Sequence, residues 1–322
     1  MAFQSALTKA FITPLFVFFF VNKFVVAQEA TKIGIQSLRT SENPVVCNAL
    51  SSEINQRARE INERRKNLYL LEASKKGCFT VAASLLQKGS SLNARDRFGN
   101  TSLHHASRMG HNELVRYFLE RGADIDQLNL AGSTPLLRAV TSNRRKTTKI
   151  LLQAGAKIDT VNKNGITPLA SSAFNGNDGI LMLLINAGAD PGKVDGTGKG
   201  PIVYAAARGF YTIVENLLSA GVKVNRRYAN NLTALMWTSG HSNDVPELEG
   251  VRTVKLLIDN GGELDFKDNR GRTALMIAAE RGHAKIVGVL RDSGADLILE
   301  DNKSLTALDL AANDEVKLAL TK

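Results

Sequence analysis

Aromatic residues and cysteines are scarce in this chain of 322 residues. Phenylalanine, tryptophan and tyrosine together make up 6 % of it, and several of the phenylalanines lie within the first 25 residues. The core of the remaining chain must therefore be largely aliphatic. Hydrophobic residues reach 43 % and charged residues 22 %, a balance that supports a folded core and excludes a mainly disordered protein.

The sequence also lacks the short motifs of common enzyme and metal sites. It has no His-Glu-x-x-His, no paired-cysteine zinc spacing and no Gly-x-Ser-x-Gly turn. A glycine-rich stretch begins at Gly192, but five residues instead of four separate it from Gly198, and glycine follows Lys199 where a phosphate loop needs serine or threonine. We therefore expect no enzyme, no cofactor and no metal.

The N-terminal segment has the features of a signal peptide. Phe11 to Val21 is mainly apolar, and Val25 and Ala27 fit the positions that signal peptidase reads before a cleavage site. The apolar run is short for a bilayer, which needs about 20 residues. We expect residues 1–27 to be cleaved and the protein to be periplasmic or secreted. An uncleaved membrane anchor and a cytosolic protein are the alternatives.

Basic residues outnumber acidic ones in the part that export would leave. Residues 1–27 hold Lys9 and Lys23 and no acid, so 39 basic and 31 acidic side chains remain, a net charge of +8. In an exported protein this charge suits an anionic partner, such as an acidic protein, lipid headgroups or cell-wall polymers, rather than nucleic acid. The alternative is that the charge only maintains solubility.

Two sets of positions, one aliphatic and one of glycine, recur every 33 residues, and one spacing of 40 interrupts both at the same repeat. A period of this length indicates a solenoid of stacked units. The aliphatic set comprises Leu70, Leu103, Leu136, Leu169, Ile202, Leu235, Leu275 and Leu308, and the glycine set comprises Gly89, Gly122, Gly155, Gly188, Gly221, Gly261 and Gly294.

Each unit is predicted to contain two short helices. Thr134-Pro135-Leu136 is typical of a helix start, because threonine caps the helix and proline fits its first turn. Glycines such as Gly110 end the first helix, and the recurring glycines end the second with a positive φ. Turns rich in aspartate, asparagine and glycine, such as residues 96–99, lead to the next unit.

At these positions the sequence resembles the ankyrin-repeat family, and its signal segment makes it similar to exported bacterial members. The family motifs are Thr-Pro-Leu, Gly-His as in Gly110-His111 and Gly-Ala-Asp as in residues 122–124. The resemblance implies an all-α solenoid of about seven helix-turn-helix repeats with short β-hairpin turns and a capping helix at each end. Departures occur in the first repeat, at Gly200 instead of threonine and at Arg291 instead of an aliphatic residue.

The repeats set the expected domain boundaries: a signal peptide at 1–27, a flexible leader at 28–46, an N-terminal capping helix at 47–66 and an ankyrin-repeat domain at 67–322. The capping helix is predicted from the helical spacing of Ile54, Ala58, Ile61 and Leu68, and a solenoid needs it to cover its apolar end. The predicted repeats are 67–99, 100–132, 133–165, 166–198, 199–231, 232–271, 272–304 and a partial, capping repeat at 305–322.

The two cysteines and the histidines have expected structural roles. Cys47 and Cys78 follow the signal segment, so we expect a disulfide that ties the capping helix to the first repeat, with two unpaired thiols as the alternative. The family resemblance implies that His104, His111 and His283 form hydrogen bonds between adjacent loops. His105 is expected only to pack.

The resemblance further implies binding in a groove formed by the hairpin tips and the exposed side of the first helices. Leu128, Val161 and Ile166 in this strip could instead pack between hairpins. The predicted partner-binding residues, centred on repeats two to four, are Arg97, Phe98, Arg108, Met109 and Phe174. Other exposed positions of the strip are Leu130, Arg208, Arg270 and Arg281.

A second surface lies at the turns between paired helices. Arg144, Arg145 and Lys146 form a basic cluster there and are also predicted to bind the partner. The seven-residue expansion of repeat six, within 241–250, places an acidic loop on the same edge. A merely solvated charged face is the alternative.

We interpret the chain as a monomeric scaffold that binds another, acidic protein. Two other classes stay open: an enzyme using His241, Asp244 and Glu247 in the expanded loop, and a structural protein tethered to a membrane by residues 10–27.

The signal-peptide interpretation predicts cleavage after Ala27, which leaves Gln28 as the mature N-terminus because Val25 and Ala27 fit the peptidase subsites. N-terminal sequencing of the protein from its native cells measures this directly. Recovery of Met1 or Ala2 would contradict cleavage and favour the membrane anchor.

Overall fold

The computed structural model describes residues 42–241 and 246–321, in which α-helices pack in successive pairs. The signal segment, most of the predicted leader and Asp244 lie outside this range. The helices are α1 (Pro44–Gln56), α2 (Glu63–Lys76), α3 (Phe79–Gln87), α4 (Ser102–Met109), α5 (Asn112–Glu120), α6 (Pro135–Thr141), α7 (Arg145–Gln153), α8 (Pro168–Phe174), α9 (Asp178–Asn186), α10 (Pro201–Ala206), α11 (Tyr211–Ser219), α12 (Ala234–Ser239), α13 (Glu247–Asp259), α14 (Ala274–Arg281), α15 (Ala284–Asp292) and α16 (Asp314–Thr321).

The helices from α2 to α15 form seven helix pairs, one for each predicted repeat, and each pair packs on the next. The all-α solenoid is therefore confirmed. The expected β-hairpins differ in detail, because no strand forms within the described ranges. The connections are hydrogen-bonded reversals of the chain, too short to become a sheet.

Threonine caps and proline first turns start the first helices, as predicted. The Thr134 hydroxyl accepts a hydrogen bond from the Leu137 amide at 3.2 Å, and Thr167 does the same for Ala170 at 3.0 Å. Gly200 provides no side-chain cap, and α10 there has only six residues. Helix α12, which Thr233 caps, has six residues as well, so the departure at Gly200 leaves the repeat intact.

The core is a continuous row of aliphatic side chains, and the first seven residues of the recurring aliphatic set are at most 1 % exposed. Leu308, the eighth, is 46 % exposed, so its predicted core position is wrong. Residues 307–310 form a turn instead of a first helix, and this turn buries Ala307 in place of Leu308. In the part of the chain that the structure describes, α16 packs on α15 at this end.

The predicted capping helix over 47–66 is divided in the structure. Helix α1 ends at Gln56, and α2 starts after Asn62, whose side chain accepts a hydrogen bond from the Arg65 amide. The chain must reverse between these helices for α1 to fold back onto the first repeat. Leu68 consequently lies on α2, where it is 52 % exposed.

Helix α1 is held to the first repeat by covalent and polar contacts. The structure contains the Cys47–Cys78 disulfide, with the two Cα atoms 5.3 Å apart. The Glu42 carboxylate accepts hydrogen bonds from the amide and hydroxyl of Thr80 at the start of α3, at 2.6 and 2.7 Å. The described residues 42–46 of the predicted leader thus belong to the cap.

One aspartate or asparagine organises almost every turn between repeats. The Asp96 Oδ1 atom accepts hydrogen bonds from the amides of Phe98 and Asn100, at 2.8 and 2.9 Å. Tyr228 replaces this residue in one turn, where Asn230 and Asn231 adopt positive φ instead. The residues equivalent to Asp96 are Asn129, Asn162, Asp195, Asp268 and Asp301.

A backbone hydrogen bond joins each turn to the preceding one, and we call this series the tip ladder. Its six amide-to-carbonyl bonds, of 2.9 to 3.2 Å, are Leu130 to Phe98, Lys163 to Ala131, Gly196 to Asn164, Ala229 to Gly198, Asn269 to Asn230 and Asn302 to Arg270.

The histidines bridge neighbouring repeats as expected. The Nε2 atoms of His104, His111 and His283 hydrogen-bond to backbone carbonyls of adjacent repeats at 3.0, 2.9 and 3.1 Å. His105 does more than pack, because its Nε2 atom lies 3.0 Å from Oδ2 of Asp96 and so anchors the first turn. Burial lowers the pKa of His104 to about 4.

The depressed pKa of His104 predicts a loss of stability in mild acid. Between pH about 6.5 and 4 the unfolded chain binds a proton at this residue and the folded chain does not. The free energy of unfolding should therefore fall by about 1.4 kcal/mol per pH unit on this account. Urea denaturation at pH 7, 6 and 5 measures the slope, and His104→Gln should make it shallower; an identical slope in the variant would contradict the assignment.

Candidate groove face and turn edge

The predicted binding residues lie on one surface, which we call the groove face: the turns between repeats and the exposed sides of the first helices. Phe98, Met109 and Phe174 are 56, 43 and 48 % exposed, and Arg97 and Arg108 are exposed as well. Large apolar side chains with half of their surface in water are candidates for contact with a partner. The structure thus leaves all five accessible.

Arg97 and Phe98 form a pair at the N-terminal end of the groove face. The Arg97 guanidinium lies 4.7 Å from the centre of the Phe98 ring. Both line a cavity of about 910 Å³ between the first turn and α2, together with Leu68 and Lys75. This cavity belongs to repeat one, so these two residues lie before the predicted centre of the site.

Phe174 is part of a cluster that continues into repeat five. Its ring meets Tyr204 edge-on, with centroids 5.7 Å apart, and the Arg208 guanidinium lies 5.1 Å from its centre. The Tyr204 hydroxyl donates a hydrogen bond to Asp195, and burial and this carboxylate raise the tyrosine pKa to about 12. The cluster is therefore a fixed feature of the folded chain.

Arg108 and Met109 end α4 beside a partly buried arginine of the next repeat, Arg138. Burial, and next the charge of Arg108, lower the pKa of Arg138. The charges of Arg108, Arg138 and Asp96 thus act on one another in this part of the groove face.

Sequence reasoning missed Tyr204 and Trp237, which occupy one repeat position on the groove face. The signal was present, because residues 138, 171, 204 and 237 are spaced by 33. Trp237 lines a cavity of about 500 Å³ with Arg270 and Arg281, and the Lys199 ammonium lies 5.2 Å from its ring centre. The arginines were predicted to be exposed, but their aromatic neighbour was not identified.

The aliphatic residues of the groove face were expected either to contact a partner or to pack between the turns, and the structure separates them. Leu128, Leu130 and Val161 are 42, 60 and 37 % exposed, whereas Ile166 is half-buried between turns. Leu130 also contributes its amide to the tip ladder. Exposure therefore favours contact at the first three and packing at Ile166.

We call the surface formed by the turns between paired helices the turn edge. Its basic cluster forms hydrogen bonds to neighbouring repeats. The Arg144 Nε atom donates a hydrogen bond to the Arg108 carbonyl at 3.0 Å, and Arg145 reaches the Gly179 carbonyl at 3.4 Å. Arg144 lies 33 residues after His111 and replaces it as the bridge to the preceding repeat. Lys146 is exposed.

The three residues considered for an enzyme, His241, Asp244 and Glu247, are not seen together as a catalytic group in the described part of the chain. His241 is buried, with its ring centre 4.1 Å from that of His283. Glu247 forms an ion pair with Lys285 at 2.6 Å, and Asp244 lies outside the described residues. Within the ranges that the structure covers, no three histidine, cysteine or acidic side chains are placed to hold a metal ion.

Comparison with known proteins identifies the repeats. The family model "Ankyrin repeats (3 copies)" matches residues 70–162, 155–228 and 245–321. The chain therefore belongs to the ankyrin-repeat family, which typically provides non-catalytic scaffolds for protein–protein interaction. The crystal structure of the human ASB11 ankyrin repeat domain is similar, with a TM-score of 0.60 and 25 % identity over 69 % of this chain and 96 % of that one. A search of curated proteins finds no match.

The bridge from Arg144 predicts a stability difference within the basic cluster. Arg144→Ala removes the bond to the Arg108 carbonyl and should lower the free energy of unfolding by about 1 kcal/mol. Lys146→Ala is the matched control and should stay within about 0.5 kcal/mol of wild type. Equal effects in urea denaturation would show that Arg144 does not couple the repeats.

Proposed function

We propose that the chain is an exported, monomeric, non-catalytic scaffold that binds another protein, of acidic character, through the groove face. The observation that carries this proposal is the pairing of exposed rings with arginines, at Phe98 with Arg97 and at Phe174 with Arg208. Aromatic and arginine side chains are the types that dominate binding energy at protein interfaces.

Membership of a scaffold family and the net charge of the exported part support the same proposal. The signal-like residues 1–27 support a periplasmic or extracellular site of action. Among the described residues, no helix is long and apolar enough to cross a membrane.

The proposal predicts that groove-face variants lose the partner and keep the fold. Phe174→Ala or Arg108→Ala should weaken the binding of a captured partner by about 2 kcal/mol or more, because each removes an exposed anchor. Pull-down from the native compartment, followed by calorimetry with the purified partner, measures this. Leu136→Ala is the stability control, since loss of a fully buried leucine should cost about 2–5 kcal/mol of folding free energy.

A variant of the turn edge tests whether the partner binds there instead of at the groove face. Reversal of Lys146 and Lys149 to glutamate changes the charge of this edge and leaves the Arg144 and Arg145 bridges in place. If that variant loses the partner while both groove-face variants bind like wild type, the groove face is not the binding site.

A further inference from the structure

The cavity of about 500 Å³ beside Trp237, at the C-terminal end of the groove face, has a charge that the protein does not balance. Arg272 in its wall is neutralised, because its guanidinium contacts Asp268 at 2.9 Å and Glu280 at 2.5 Å. Arg270 and Arg281 have no acidic partner within ion-pair distance in residues 42–241 and 246–321. Three guanidinium groups and two carboxylates therefore leave the cavity with a net positive charge.

The aromatic wall of the same cavity also has a hydrogen-bond donor without an acceptor among the described residues. Trp237 is the only tryptophan of the chain. Its Nε1–H is shielded from solvent, and no described residue accepts its hydrogen bond. Lys199, 5.2 Å from the ring centre, adds a third cation without an acidic partner in the described part of the chain. The indole thus has an unused N–H donor, Lys199 lies by its ring, and Arg270 and Arg281 line the same cavity.

The positive surface continues along the groove face towards repeat four. Arg208 lies 5.1 Å from the Phe174 ring and 5.4 Å from Phe210, and it too has no ion pair with a described acid. In the intervening turns Asp195 and Asp268 accept hydrogen bonds from backbone amides with one carboxylate oxygen, and with the other they contact Tyr204 and Arg272. Rings alternate from repeat four to repeat seven with cations that have no ion pair to a described acid.

The cavity at the other end of the groove face is different. Lys75 in its wall is paired with Glu72 at 3.7 Å, and Glu63 adds a further acidic residue. Arg64, Arg95 and Arg97 also line that cavity without ion pairs to described acids, so what distinguishes the C-terminal cavity is Trp237 with its unused Nε1–H donor.

We infer that repeats four to seven form a cradle for an extended acidic polypeptide segment, in which glutamates or aspartates meet Arg270, Arg281 and Lys199 and an apolar side chain packs on Trp237. An acidic polypeptide fits better than a uniform polyanion because apolar rings separate the cations and would face the apolar residues between its acids. The inference rests on the proposed function and moves its centre from repeats two to four towards the C-terminal end.

The test uses the full chain and a synthetic peptide of about twelve residues built from Glu-Glu-Leu units, which spans about 40 Å when extended. The single tryptophan reports occupancy of the cavity through its fluorescence, and calorimetry measures affinity. We expect the peptide to change the emission of Trp237 and the matched Gln-Gln-Leu peptide to have no such effect. Equal binding of the two peptides would overturn the inference.

Paired variants localise the binding. The double variant Arg270→Gln with Arg281→Gln should bind the acidic peptide about tenfold more weakly or worse. Calorimetry should show the same loss of affinity for Trp237→Ala. Lys146→Gln with Lys149→Gln is the matched control, with the same change of charge on the turn edge, and should leave the affinity within about twofold of wild type. Circular dichroism checks that each variant is folded. A loss in the control pair as large as in the test pair would overturn the inference.

The same binding experiment is repeated with two other polyanions. A single-stranded DNA of similar charge, or vesicles containing phosphatidylserine, should bind more weakly than the acidic peptide, and tighter binding of either would contradict the peptide assignment. A native partner that depends on Phe174 and Arg108 but not on Arg270 and Arg281 would leave the proposed function intact and reject the cradle. Peptide binding at Trp237 without any captured protein would support the cradle and reject the proposed function.

Discussion

The tip ladder is the interaction on which the rest of this structure depends. One backbone hydrogen bond passes from each turn to the next, and almost every turn is itself shaped by an aspartate or asparagine that accepts two of its amides. These bonds fix the distance and orientation between neighbouring repeats, which in a solenoid contact only their neighbours. Where Tyr228 replaces the acceptor, two asparagines in the left-handed conformation preserve the connection.

Because the repeats stack regularly, residues that recur along the sequence lie next to each other on one surface. Side chains of adjacent repeats lie beside each other, so Tyr204 can contact Phe174 and Lys199 can reach Trp237. No single repeat contains a binding site, and the aromatic and cationic groups become a groove only when the ladder holds the repeats together. The histidine and Arg144 bridges secure the opposite ends of the helices.

The period of the sequence was sufficient to predict the helix pairs, their caps and the aliphatic core, because each depends on local spacing. The break between α1 and α2 was not predictable in this way, since the reversal serves contacts with the first repeat that helical periodicity does not encode. Leu308 follows the period but lies in a turn that buries Ala307 instead. Phe98 and Phe174 were identified by their place in the repeat, and the spacing of 33 residues from Tyr204 could have identified Trp237 as well. The cationic neighbours of Trp237 are known only from the stacked repeats.

Hydrogen exchange of the ladder amides, measured by NMR on the free chain, tests most directly whether the ladder holds the repeats in place. The account predicts that the amides of Leu130, Lys163, Gly196 and Asn302 exchange far more slowly than exposed turn amides and lose their protection together as denaturant is added. Exchange of these four amides at the rates of an unstructured chain, with the helices still protected, would contradict it.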